Sequence, residues 1–209
     1  MAYRATEATR RNAELKRRAF LRAARSLVAA HGFGGATVQA IAAESGASVG
    51  SVYSYFDGRE DLLAEVFRSA AGHELGVVRD AAAGAGEGAV ARLDALVRTF
   101  AGRALQGRQM AWSLLFEPVT PAVEAERLVY RSSYTGLLAE IVGDGVAEGV
   151  FAAQDVALAA SAVLGAISEA LIGGLRPGDR PAASAEADAA IVEGIRLFCF
   201  RALGTEETL

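Results

Sequence analysis

"ATVQAIAAESGASVGSVYSYFDGREDLL", residues 36–63, places Tyr53, Tyr55 and Phe56 in a short Ser- and Gly-rich stretch just before an acidic turn and a new apolar run. Thr37 offers a side-chain oxygen to the free backbone donors of a short helix running through Ala43 and Glu44, with Val38, Ile41 and Ala42 as its buried side. Gly46 can adopt the positive backbone angle that ends this helix, so Ser45 to Ala47 reads as a turn. Ser48 then caps a second short helix, Ser48 to Tyr55. Asp57 and Gly58 break the chain before a run with Leu62, Leu63, Val66, Phe67 and Ala70 at core-facing intervals. A helix as short as the second is unstable alone and needs an anchor. Val52 and Phe56, four apart, provide it and leave Ser48, Val49, Ser51 and Tyr53 on the other side, able to reach base methyls, base edges or phosphates.

Upstream, Arg10 to Ala30 reads as a helix whose stripe is Leu15, Phe20, Ala23, Ala24, Leu27 and Val28, stopped by Gly32 and by the pair Gly34 and Gly35. Arg17, Arg18, Arg22 and Arg25 lie elsewhere around it, as a solvated face or, for Arg17 and Arg18 near its start, as phosphate contacts. His31 reads as a capping or surface residue. A helix, a short turn and a second short helix form the arrangement that sets one helix in a DNA major groove while its neighbour braces it. Charge distribution agrees. The net charge is -4, but residues 1–60 hold nine Lys or Arg against five Asp or Glu, so the positive end is where a polyanion would bind.

At this point the sequence resembles the N-terminal DNA-binding domain of the TetR family of transcriptional regulators. Residues 16–67 carry the likeness, with "AARSLVAAHGFGGATVQAIAAESGASVGSVYSYFDGREDLL" as the matching run. The resemblance implies an all-α fold of about nine helices. It implies a three-helix DNA-binding domain at 1–58 with a disordered extreme N-terminus, and a larger effector-binding and dimerisation domain at 59–209, joined by a helix at 59–80. It also implies a homodimer on a palindromic operator, usually a repressor released by a small molecule. Carried over residue by residue, Thr37, Ser48, Tyr53, Tyr55 and Arg59 occupy phosphate-contacting positions, with Val49 and Ser51 nearer the bases. Gly50 departs from the pattern, presenting no side chain where a polar or basic one might sit.

Beyond residue 72 the chain is acidic. Helices are expected at Val90 to Leu105, Gln109 to Phe116, Val123 to Ala147, Gln154 to Gly173 and Ser184 to Leu203, with Pro118 and Pro121 separating the second from the third. No stretch sustains strand alternation. "AAAGAGEG", residues 81–88, lacks the Lys, Ser or Thr and the preceding strand of a phosphate loop and reads as the loop that ends the long fourth helix. Leu96, Phe100, Met110, Trp112, Phe116, Tyr130 and Tyr134 suit either an ordinary core or, as the resemblance implies, a cavity for an apolar or aromatic effector. Arg103, Glu117 and Arg131 are the available charges there, as cavity groups or as exposed ion pairs. The last two helices carry too much apolar circumference for a terminal hairpin, so Val163, Ile167, Leu171, Ile191, Ile195 and Phe198 are assigned to a homodimer interface, for which the family provides the four-helix precedent.

Other classes find little support. Two histidines far apart, without a carboxylate or thiol pattern, provide neither a metal motif nor a partner for a nucleophile, so no enzyme, metal or cofactor is expected. One cysteine, Cys199, excludes an intrachain disulfide framework and fits a reducing, cytoplasmic setting. No uninterrupted apolar run of membrane-spanning length and no apolar leader is read. The competing class is a protein-interaction factor that keeps the helix-turn-helix fold without specific DNA binding, for which Gly50 leaves room.

Overall fold

The computed structural model describes residues 7–177 and 184–205, and among these the chain forms nine α-helices and no strand. The expected disorder of the extreme N-terminus falls outside the described residues. In order the helices are α1 (Glu7–Gly35), α2 (Val38–Glu44), α3 (Val49–Tyr53), α4 (Arg59–Gly84), α5 (Ala89–Gln106), α6 (Arg108–Leu115), α7 (Pro121–Ala147), α8 (Val156–Leu175) and α9 (Ala185–Ala202). Local signals set their ends. The side chains of Thr37, Ser48, Asp155 and Ser184 accept from backbone amides three residues on and so cap α2, α3, α8 and α9. Pro121 opens α7, where its missing N–H is no loss. Gly32 interrupts α1 at φ 74°, as its position predicts, but the chain re-enters a final helical turn through Gly35.

Two hydrophobic cores share α4. The smaller gathers Phe20, Val28, Ile41, Val52 and Phe56 with Leu62 to Ala71 of α4, and closes on Leu114 and Val123. The larger begins at Val78 and joins α4 to α5, α7, α8 and α9. The expected boundary at residue 58 lies between α3 and α4, while the smaller core continues along α4 to Ala71. α1 packs against α6, which brings a helix of the C-terminal body onto the back of the N-terminal head. α8 is long and apolar enough by length and composition to cross a membrane, yet it is a partly buried helix of the larger core, held by α7 and α9.

Candidate DNA-reading surface and effector cavity

The outward surface of α3 follows from what its other side buries. Val52 and Phe56 are sunk in the small core, and the Phe20 ring meets Phe56 edge-on at 6.4 Å and Tyr55 at 5.6 Å. Ser48, Val49, Gly50 and Tyr53 are left exposed, Tyr53 to 56%. Ser51 is half-buried, and its amide donates to the Ser48 hydroxyl at 3.2 Å. A Cβ built on Gly50 would meet nothing within 4 Å, so packing does not demand glycine there. Thr37 is exposed at the start of α2, and Tyr55 is half-buried against Phe20.

Two of the cations assigned to phosphate, both half-buried, have partners within the fold. Arg17 forms paired hydrogen bonds with Glu65 of α4 and lies 4.9 Å over the Phe56 ring. The Glu65 bonds hold its guanidinium charge more firmly, against the opposing cost of burial. Arg59 donates from Nε to the Ala36 carbonyl at 3.1 Å and from Nη2 to the Phe33 carbonyl at 2.6 Å. Arg17 thus ties α1 to α4, and Arg59 ties the start of α4 to the end of α1. Arg18 is exposed and paired with Glu14 on its own helix.

In the body, α4, α5, α6, α7 and α8 line a half-open cavity of about 370 Å³. Phe67, Val78, Phe100, Met110, Leu114 and Leu164 make its apolar wall. Of the expected ligand residues, Phe100, Arg103, Met110, Tyr130 and Tyr134 line it. Leu96, Trp112 and Phe116, also expected there, are not among the lining residues. Leu96 lies one turn before Phe100 and is enclosed in the larger core. α6 turns Gly107, Met110, Ala111 and Leu114 to the cavity, so the helical period places Trp112 and Phe116 on another face, where their rings pack at 5.4 Å.

Of the charged groups at the cavity, Arg103 and Arg131 were expected from the sequence, whereas Glu74 and Arg127 were not. Arg103 donates to Glu74 from Nε at 2.6 Å and Nη2 at 2.9 Å, which raises its already high pKa. Burial, then the Glu74 charge, pushes the Tyr134 phenol upward. Arg127 is largely buried, which lowers its pKa, and it donates to the carbonyls of Leu114 at 2.9 Å and Glu117 at 2.8 Å and to the Glu124 carboxylate at 2.6 Å. Arg131 stands exposed at the wall. Glu117 forms no exposed ion pair. It crosses to α1 and accepts hydrogen bonds from the amides of Phe33 and Gly34 at 2.9 Å each.

The residues expected at a homodimer interface differ in their exposure within the protomer. Val163, Ile167, Leu171 and Ile195 are buried within the protomer, Ile191 is half-buried, and only Phe198 stands out at 60% exposure. Leu158, at 69%, joins it from α8.

A capped helix-turn-helix on an all-helical body is the architecture of a DNA-binding transcription factor. Residues 20–66 match the model for bacterial regulatory proteins of the tetR family, and residues 86–171 match that for a tetracyclin repressor-like C-terminal domain. The chain belongs to the TetR family of transcriptional regulators, which are DNA-binding factors and not enzymes. Among solved structures, the fatty acid degradation regulator FadR of Bacillus halodurans superposes with a TM-score of 0.75 at 22% identity, over 91% of this chain and 97% of that one. FadR of Bacillus subtilis, in complex with stearoyl-CoA, gives 0.71 at 18% identity over 88% of this chain and 98% of its own. PfmR of Thermus thermophilus gives 0.61 at 24% over 90% and 98%. These likenesses are of fold. A comparison with curated proteins finds no match.

Proposed function

We propose that this chain is a ligand-responsive repressor that binds a palindromic operator as a homodimer and is released when a small apolar or aromatic effector enters the cavity. The observation that carries this reading is the double role of α4. Arg59, at its start, is tied to the end of α1 beside the helix-turn-helix, and Phe67, Ala71, Glu74 and Val78 farther along it line the cavity. An effector works by preferring the conformation whose heads are misaligned, since equal affinity for both would shift nothing. A coupling of about 1–3 kcal/mol changes operator affinity about 5- to 150-fold.

On the head, Val49 and Ser51 are proposed to read bases, with Thr37, Ser48, Tyr53 and Tyr55 on phosphates. Arg18 can join them by giving up its Glu14 partner. The homodimer is proposed to form on Leu158, Ala162 and the half-buried Gly165 of α8 with the exposed Gly194, Phe198 and Ala202 of α9, positions that repeat every three or four residues. A factor acting on operator DNA belongs in the cytoplasm. Because the Bacillus subtilis relative was determined with stearoyl-CoA, an acyl-CoA is a first effector to try.

The deciding experiment is a mobility shift with DNA from upstream of the protein's own gene, at moderate salt and with excess unrelated competitor. A retarded, competitor-resistant complex is expected. Failure to shift this DNA or any duplex selected from a random library would favour the interaction-factor reading. One observation favours that alternative: Arg17 and Arg59 are engaged within the fold, and Gly50 offers no side chain.

A further inference from the structure

The route from cavity to head is not confined to α4. Gly32 sits at the break in α1 with φ 74°, and a Cβ there would lie 2.6 Å from Oε2 of Glu117. The break thus has the two features that admit this carboxylate, a residue free to take a positive φ and no side chain in the way. Beyond the break, the free amides of Phe33 and Gly34 both donate to Glu117. The same short segment is gripped from its other side, where the carbonyls of Phe33 and Ala36 accept from Arg59. Thr37, the cap of α2, follows immediately. Glu117 itself lies just past the end of α6, and its amide donates back to the Trp112 carbonyl at 3.0 Å. Its own carbonyl is held by Arg127, a cavity-wall residue that also holds Leu114.

We infer that Glu117 is the positioning residue that couples the cavity to the reading head, by locking the end of α6 to the break in α1. This rests on the ligand-released regulator proposed above and adds a second mechanical link to it. Met110, Ala111, Leu114 and Leu115 of α6 face the cavity, so an occupant that displaces α6 carries Glu117 with it. The two amides then lose their shared acceptor, and the segment between Gly32 and Thr37, still tied to α4 through Arg59, shifts with the head relative to α6. Charge-assisted bonds are the stronger kind, which suits a link that must hold the DNA-competent state until displaced.

The test needs no known effector. Ala104 of α5 lines the cavity, and Ala104→Phe serves as a built-in occupant, with Ala104→Leu in reserve should the larger ring prevent folding. Affinity for a duplex selected by the wild-type protein from a random library is measured for wild type, Ala104→Phe, Glu117→Ala and the double variant. Helicity and melting are checked for each. Ala104→Phe is expected to weaken binding about 5- to 150-fold when Glu117 is present. In the Glu117→Ala background the same substitution should change affinity less than about twofold, since coupled sites depart from additivity. Glu117→Gln, which keeps one acceptor, should fall between. A merely structural Glu117 would leave the effect of filling the cavity equal in both backgrounds, and that result overturns the inference while leaving effector release intact. If filling the cavity changes DNA affinity in neither background, the inference and the release mechanism fall together. If no duplex is selected, the regulator reading falls and the coupling with it.

Discussion

Arg59 illustrates how a single guanidinium changes meaning once its partners are visible. It donates to two backbone carbonyls at the end of α1, so its removal takes a charged donor from each and leaves the Phe33 carbonyl with the Ala36 amide at 3.3 Å. A hydrogen bond to a charged group contributes about 1.5–3 kcal/mol. Arg59→Ala should therefore lower stability by about 2 kcal/mol in urea unfolding, and should leave the salt dependence of DNA binding unaltered at temperatures where the head stays folded. A drop of about one unit in the slope of log affinity against log salt would restore Arg59 to the phosphate contacts. Tyr53→Ala, at an exposed position, should instead weaken every operator variant alike without lowering stability. Cys199 gives a second residue-scale test. It is buried, and burial pushes its thiol from an ordinary 9.0 up to about 11. Since the folded value lies above the unfolded one, the associated stability is fully present below about pH 9 and is lost as pH rises toward 11. A thiol reagent at pH 8 should label the native protein only at the rate at which it opens, and fast labelling of the folded chain would contradict this burial.

At the scale of the element, α3 is the informative case, because it spans only Val49–Tyr53. Such a helix exists through its cap and its anchors rather than through propensity. Ser48→Ala removes the side-chain acceptor of the Ser51 amide and should cost about 1 kcal/mol. Phe56→Ala empties the site between Phe20 and Arg17 and should cost about 3–5 kcal/mol. Urea titrations followed by far-ultraviolet dichroism, run for both variants, check the order. Equal losses would mean that α3 is held by its cap as firmly as by its core side. Gly145 in α7 shows the opposite constraint: its Cβ position lies 2.1 Å from the Phe151 ring, so the turn after α7 closes against the helix backbone itself.

For the whole molecule, the surface of α8 and α9 separates two kinds of apolar residue that share a helical period. Phe198 and Leu158 face outward, whereas Ile167 and Leu171 are enclosed by the larger core. Phe198→Glu and Leu158→Glu should therefore give folded monomers in sedimentation velocity at micromolar concentration, from a wild type that sediments as a dimer. Ile167→Glu should unfold or aggregate, because it buries an unpaired charge in the protomer. A monodisperse wild-type monomer would remove the dimer from the proposed function, along with the paired heads a palindrome requires.

The sequence by itself determined the head. Caps three residues from their amides, glycines at the turns and the Val52–Phe56 anchor are local signals, each read within about one helical turn. It also determined that the remainder is helical, since periodicity and proline punctuation need no partner. What it left undecided was which side of an apolar helix faces inward, and α8 is apolar on more than one side. Only the packing of α7 and α9 against it assigned Val163 and Ile167 to the core and Leu158 to the surface. The charge partners were equally hidden. Arg17 finds Glu65 at a separation of 48 residues and Phe33 finds Glu117 at 84, and no local pattern links residues so distant. Tertiary structure decided those pairings, because they depend on where whole helices come to rest.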